Sequence, residues 1–501
     1  MNVVLAGARV RTLDPARPLA SHVGIASGRV AYVGDDLAAA RTSAPRGEVI
    51  DLGGRTVTPG LADSHTHVTA WARARERLSL EGLTALEPVL ARVAEAHARL
   101  PSGQVLQGEH VAPFGGFAPA PSRAQLDRAA PGRSVVLRGR DRHAAWVSSA
   151  ALAAAGITRA TADPPGGRIG RDANGEPDGL LYENALRLLD LDGEAPEGLE
   201  RTLLDAAALG ITCVHEFGDA RGFAAYRALA EAGRLPVRVA YGVMPARGEE
   251  QTLDATADAR AWVFAHKAFV DGTLGSRTAW MLEPFEGGED RGLPTLDPAA
   301  LDSLGERARA HGVTLALHAI GDAAVRAALD AFARWPAGAR ARLRPRIEHA
   351  QLVHPDDFGR FAALGVVASM QPSHAATDRA LAQRLWGERG ARGGYAWRTL
   401  EEAGAVLAFG SDVPIEPIDP RVGLWAATTG GAGRALGFER ALHGFTAGAA
   451  YAVRREQELG RIARGFLADF TVWGDDPWET PPERLRTVAI EQTWVDGQRV
   501  V

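Results

Sequence analysis

Two histidines spaced two apart, His65 and His67, finish an apolar run in TPGLADSHTHV. If that run is a strand, side chains at i and i+2 share one face. Two neutral imidazoles on one side suit zinc or a similar ion. Alone, the pair reads more simply as polar residues ending a strand. Three further apolar runs end in the same way: VTLALHAIGD in His318, PRIEHAQ in His349, and AVLAFGSDVP in Asp412. A buried His or Asp is costly unless it is paired or metal-bound. Four such ends in one chain shift the reading from satisfied core residues to a metal site.

Lysine usage adds a second signal. Of the 56 basic residues one is Lys267 and the other 55 are Arg. Lys267 lies in AWVFAHKAFVDG, on a strand face shared with Ala265, Phe269 and Asp271. Arg stays protonated, whereas a buried Lys amine can be neutral and nucleophilic. A neutral amine adds carbon dioxide to give an anionic carbamate able to bridge two metals, which a guanidinium cannot do. The plainer reading pairs Lys267 with Asp271.

These residues need a scaffold that brings strand ends together. GITCVHEF, AWVFAHKAFVDG, VTLALHAI, RPRIEHAQLV, GVVASMQPS and AVLAFGSD read as short apolar strands. Between or before them, TALEPVLARVAEAHARL, LERTLLDAAALG, AALDSLGERARAHG and DAAVRAALDAFARW read as helices. Alternation of this kind predicts βαβ units and a parallel sheet, and the count fits a (β/α)8 TIM barrel of the α/β class. Barrel enzymes place catalytic groups at the C-terminal ends of the strands. Both chain ends are rich in β-branched residues and Gly, which predicts one small β-sandwich from residues 1–57 and 457–501, with the barrel over 58–456. The Gly/Pro-rich stretch 72–195 breaks the alternation. It reads as an insertion after barrel strand 1, over the active-site face, with a hairpin turn at Asn174-Gly175.

The order His-x-His, Lys, His, His, Asp resembles the binuclear amidohydrolase superfamily. The blocks PGLADSHTHV, HKAFVDGTLGSRTA, LHAIGDAAV, IEHAQLV and ASMQPSHA narrow the likeness to the YtcJ-like amidohydrolases (amidohydrolase family 3), the group that includes N-substituted formamide deformylase. DRHAAWVSSAAL and LGRIARGFLADFTVW are similar to further family blocks. The resemblance implies a barrel with a terminal sandwich and two divalent metal ions, zinc being the first choice. His65 and His67 would hold one ion and His318 and His349 the other. Lys267, N6-carboxylated by carbon dioxide, would bridge them. Asp412 would touch the metal and act as the catalytic proton carrier. The implied reaction is hydrolysis of a C–N bond other than a peptide bond, of amide, N-formyl or N-acyl type. The alternative is a mononuclear deaminase or esterase-like hydrolase on the same barrel. Three segments depart from the family pattern: Trp146-Val147-Ser148-Ser149, Gly108-Glu109-His110 and Cys213-Val214-His215-Glu216.

Further residues are weighed for substrate binding. His374 follows a strand and reads equally as a loop histidine. Asp322 orients His318 or opens a helix. His143 and Trp146 line a pocket from the insertion, or Trp146 is core. Arg277, like Arg138, Arg140 and Arg142, suits a carboxylate. His215 and Glu216 support the site or pack the core. With 46% apolar and 23% charged residues the 501-residue chain is globular rather than disordered. Its net charge of −5 gives no reason to expect nucleic acid or an anionic membrane. A single cysteine, Cys213, excludes a disulfide framework. No apolar run spans a bilayer and no signal peptide is evident. The expectation is a cytoplasmic enzyme acting on a small-molecule substrate. A homodimer is compatible with the sequence but not fixed by it.

Overall fold

The computed structural model describes residues 2–189, 196–244, 260–430 and 434–501. The expected end of the insertion, 190–195, lies outside the described residues. Eight parallel strands form one sheet in sequential order. They are β1 (Leu61–Thr66), β2 (Ile211–Gly218), β3 (Arg238–Val243), β4 (Ala261–Phe269), β5 (Thr314–Ala319), β6 (Arg346–His349), β7 (Val367–Met370) and β8 (Leu407–Phe409). Just past β8 the chain meets β1 again. Thr66 and Val413 form a parallel bridge, and the Asp412 N–H donates to the His65 carbonyl at 2.7 Å, so the sheet closes on itself. Nearly every strand residue is buried, as expected for a parallel sheet covered on both faces; this is why the strands read as continuous apolar runs. The helix Asp322–Ala333 shows the outer layer's logic: Val325, Ala328, Leu329 and Phe332 recur at helical spacing and are all buried.

Seven of these strands coincide with runs visible in the sequence. The eighth, β3, begins with an arginine and is interrupted by Gly242, so its pattern is weak. Arg238 is tolerated in the interior because Asp469 takes a bidentate pair from it, at 2.6 and 3.0 Å, and Asp496 a further bond. Both acids belong to the C-terminal segment, so a buried ion pair couples the barrel to the chain end.

Two sheets lie outside the barrel at the termini. One orders Arg29–Gly34, His22–Ala26, Val3–Ala6 and Glu48–Asp51. The other includes Ile490–Val495, Phe470–Trp473, Thr56–Pro59 and Arg9–Arg11. Val3, Leu5, Val23 and Ile25 of the first pack with Val10, Val57, Phe470 and Trp494 of the second in one apolar core, giving a sandwich built from both ends. Between β1 and β2 a six-stranded mixed sheet forms with its own core around Leu106, Leu126, Leu137 and Trp146. Its hairpin Gly167–Arg171/Pro177–Glu183 turns at Asn174-Gly175, where Gly175 has φ +79°. No helix among the described residues is long and apolar enough to cross a membrane.

Candidate metal centre

The barrel mouth collects side chains that the sequence spreads over 348 positions. His65 projects from β1, and His67 follows as the strand gives way to the helix Val68–Arg75. Lys267 lies within β4, His318 within β5, and His349 ends β6. Asp412 follows β8. Imidazole ring centroids are 5.4 Å apart for His65 and His67, 4.7 Å for His65 and His349, and 4.5 Å for His318 and His349. Asp412 Oδ1 is 3.5 Å from His65 Nε2 and 3.4 Å from His67 Nε2, and its Oδ2 is 4.0 Å from His349 Nδ1. His65, His349 and Asp412 each offer a ligand atom within 4.8 Å of the others'. His349 and Asp412 adopt the left-handed backbone region, φ +73° and +63°. Such strain in non-glycine residues concentrates where side-chain placement matters.

Each imidazole is held by one nitrogen. His65 Nδ1 donates to Glu348 Oε2 at 2.7 Å, His67 Nδ1 to the Phe217 carbonyl at 2.9 Å, His318 Nε2 to the Gly272 carbonyl at 3.0 Å, and His349 Nδ1 to Gln371 Oε1 at 2.7 Å. An oxygen acceptor fixes the ring proton on the bonded nitrogen and leaves a lone pair on the other. Burial, reinforced by neighbouring positive groups, pushes all four rings well below the usual histidine range, His67 to about 3, so they stay neutral. Neutral, oriented imidazoles and a carboxylate in one cluster are donor types that a divalent transition metal accepts, and His65, His349 and Asp412 lie close enough together to share one ion.

Lys267 Nζ sits inside that cluster, 3.5 Å from His65 Nε2 and over the faces of Phe217 and Phe269. Burial lowers it to about 8 against the pull of Glu348 and Asp412. Asp271, its partner on the plainer reading, is committed elsewhere. It accepts the backbone N–H groups of Ile320, Gly321 and Trp280 at 2.8–3.0 Å. Burial raises Asp412 to about 7, opposed by Lys267 and His143.

Residues 48–501 match the family model described as the amidohydrolase family. The chain belongs to that family. Among its relatives, YtcJ of Bacillus subtilis (strain 168) is 33% identical over 91% of each chain. N-substituted formamide deformylase of Arthrobacter pascens is 29% identical, covering 99% of this chain and 97% of its own. A metal-dependent hydrolase from Pyrococcus furiosus, itself uncharacterized, superposes with a TM-score of 0.76 at 29% identity, over 96% of this chain and 100% of that one. The protein is thus a hydrolase of a metal-dependent family with a candidate His/Asp metal site.

Beside the metal cluster of this amidohydrolase lies a cavity of about 120 Å³. His143 reaches it from the insertion. Its Nδ1 bonds Glu183 at 2.6 Å, and its ring lies 5.0 Å from that of His318. Burial alone would depress His143, but Glu183, with Asp141 and Asp412, raises it to about 9. His374 enters from the helix after β7 and stacks on His349, with centroids 6.1 Å apart. Of the other residues weighed for substrate contact, Arg140 also lines the cavity and the rest lie elsewhere. Trp146 is fully buried in the insertion core, its Nε1 donating to the Ser122 carbonyl. Asp322 opens its helix and accepts the Leu282 N–H at 2.9 Å. Arg277 is exposed over Phe285. Arg138 and Arg142 converge on buried Glu109, and Arg140 pairs with Glu416 at 2.6 Å. His215 lies at 3.3 Å from Arg346, and Glu216 accepts the N–H groups of Val68 and Thr69, capping the helix that follows His67.

The amidohydrolase site also uses residues that the sequence reading passed over. Glu348 holds His65 and is itself held by Arg346, fully buried, at 2.5 and 2.9 Å. Gln371 holds His349, and Gln351 faces the cavity. The Arg-x-Glu spacing in RIEH was the available signal for the first pair, because two opposite charges at i and i+2 on a buried strand must face each other's partners.

Proposed function

We propose that this amidohydrolase cleaves a C–N bond of amide, N-formyl or N-acyl type at two divalent ions, zinc by preference, bridged by a carbamate on Lys267. The observation that carries this reading is the place of Lys267. Its nitrogen is buried at 3.5 Å from the unprotonated nitrogen of His65, among four neutral rings. An ammonium there would repel any metal. The neutral amine instead attacks carbon dioxide: an N–C bond forms, one N–H proton leaves to solvent, and the side chain becomes an anion with two oxygens. The formamide deformylase relative supports the N-formyl branch.

In this reading His65 and His67 would hold one ion and His318 and His349 the second, and a carbamate on Lys267 would supply the anionic oxygens shared between them. Bound divalent metal supplies Lewis-acid polarisation of the carbonyl and a nucleophile available near neutral pH. Asp412, suspended between His65 and His67 on one oxygen and near His349 on the other, accepts the proton of the attacking water and returns it to the leaving nitrogen. Acid and amine leave as products. The insertion, taken as 72–195, forms the outer wall of the cavity through His143, and the terminal sandwich, taken as 1–57 with 457–501, supports the barrel.

The test is Lys267→Arg. Metal content per chain should fall from two toward one or none, and turnover of N-formyl and N-acyl amines should vanish while the circular dichroism spectrum stays that of the wild type. A carbamate carbon resonance should appear in wild-type enzyme supplied with 13C-bicarbonate and be absent from the variant. Full activity in Lys267→Arg would end the proposal.

A further inference from the structure

Gln351 and His374, in the cavity wall, hold two polar atoms without a well-formed hydrogen bond. Gln351 and His374 are both buried, with 4% and 5% of their surface exposed, and both line the cavity. Gln351 Nε2 donates to His374 Nδ1 at 3.0 Å. That bond puts a lone pair on Nδ1 and therefore the ring proton on Nε2. Gln351 Oε1 then has no hydrogen-bond partner among the described residues, and His374 Nε2–H has the Ser411 carbonyl nearby, without a well-formed hydrogen bond to it. The wall thus holds one unpaired acceptor and one under-satisfied donor, their side chains joined by the Gln351–His374 bond.

The pair is built to keep that arrangement. The Gln351 carbonyl accepts the Tyr395 N–H at 2.6 Å, and the His374 ring lies flat against His349, 9° from parallel. His374 Nε2 lies 3.9 Å from Asp412 Oδ2, beyond hydrogen-bonding range but next to the group assigned to proton transfer. A donor and an acceptor beside the reacting atoms, both desolvated, match a group that itself carries an acceptor oxygen and an N–H. Buried polar atoms left unsatisfied are costly, so a ligand that completes them gains over one that cannot.

We infer that Gln351 and His374 form a recognition pair for the substrate amide. His374 Nε2–H donates to the acyl oxygen, and Gln351 Oε1 accepts the N–H of the leaving nitrogen. The substrate class is then narrowed to amides that retain an N–H, primary or mono-N-substituted, against N,N-disubstituted amides and esters of the same acyl group. This inference rests on the proposed C–N hydrolysis and makes a separate claim within it.

The experiment compares the zinc-loaded enzyme with Gln351→Met and Gln351→Glu on three substrates sharing one acyl group: N-benzylformamide, N-benzyl-N-methylformamide and benzyl formate. Methionine keeps the length of glutamine without its acceptor, and glutamate keeps an acceptor but cannot donate to His374 Nδ1. In the wild type, kcat/KM for N-benzylformamide should exceed that for its N-methyl analogue by about 10²-fold or more. In Gln351→Met the loss on N-benzylformamide should exceed the loss on benzyl formate by about 10²-fold, and Gln351→Glu, whose carboxylate takes the ring proton onto Nδ1 and so removes the Nε2 donor, should lose activity on both. Equal losses on amide and ester in Gln351→Met, or a wild type indifferent to N-methylation, would overturn the pair's role while leaving C–N hydrolysis standing. If no amide or ester is turned over at all, the proposed function fails, and a crystal soaked with N-benzylformamide decides the remainder. Density bridging Gln351 Oε1 and His374 Nε2 would support the pair, and density elsewhere would refute it.

Discussion

Replacing Glu348 by Gln tests whether the metal cluster is organised before metal arrives. The carboxylate bonds His65 Nδ1 at 2.7 Å and takes two bonds from Arg346, all three groups being sealed from solvent. Arg346 is also tied to the Ser64 carbonyl and the Ser369 hydroxyl, each at 2.7 Å, so it cannot swing out to water. Removing one partner of a buried ion pair costs about 3–5 kcal/mol, because the remaining charge is left unpaired. Gln keeps the volume and one acceptor for the His65 N–H, so we expect the lower end, about 3 kcal/mol. A partner that orients a ligand histidine is separately worth about 10–100-fold in metal affinity. The two effects separate in a double-mutant cycle. Arg346→Met with Glu348→Gln leaves no orphaned charge and should recover most of the stability, but not the metal affinity. Urea denaturation of the metal-free proteins gives the first quantity, and chelator competition for zinc gives the second. A Glu348→Gln protein losing less than about 1 kcal/mol, or a double variant no more stable than the single, would refute the argument from Arg346. Unchanged zinc affinity would refute the argument from His65.

Asp412→Asn should reduce kcat/KM by about 10²–10⁴, the range for loss of a general base. Asp412 must be ionised to accept a proton, and without metal it titrates near 7. Bound cations favour its ionised form, so the wild-type acid limb should fall below pH 7 and should move up in pH when metal occupancy is limited; a pH–rate profile at two zinc concentrations checks this. Glu216→Ala removes the acceptor for the Val68 and Thr69 N–H groups and should cost about 2 kcal/mol or more by urea denaturation, with weaker zinc binding through His67. Trp146→Ala should cost about 3–5 kcal/mol as a core truncation, while KM of the folded fraction stays within about threefold of wild type.

The sequence displayed the barrel because parallel strands buried on both faces must be apolar throughout, and a polar residue closing such a strand has few reasons to be there. His65, His318 and His349 are conspicuous on that ground alone. The partners that orient them are not. Phe217 and Gly272 act through backbone carbonyls, which every residue has. Gln371 bonds His349 from a different strand end, across a gap of 22 residues that no spacing rule predicts. For the same reason Trp146, aromatic and near a family-like block, looked like a pocket residue in one dimension and is a core residue in three. The arginines of the RGRDR run read as anion binders, but Glu109 and Glu416 already occupy them. Charge counting along a chain does not show which charges are already paired.

Three buried carboxylates explain how the ligand-bearing ends keep their positions. Asp63 in β1 accepts the N–H groups of His65 and of Ser411 beyond β8, closing the barrel at the point where His65 and Asp412 meet. Glu216 at the end of β2 holds the first turn after His67. Asp271 beyond β4 holds the turn after His318. Burial raises them to about 6, 7 and 8 respectively. Each carboxylate stands on or just after one strand and grips the backbone of another. The spacing between ligands is therefore set by hydrogen bonds between neighbouring strand ends rather than by the ions. A cluster fixed in this way loses little conformational freedom when metal binds, and its neutral imidazoles give up few protons. On the proposed reading, metal would enter a scaffold that is already formed, and Lys267 would be the one side chain to change chemically before a second ion could be held.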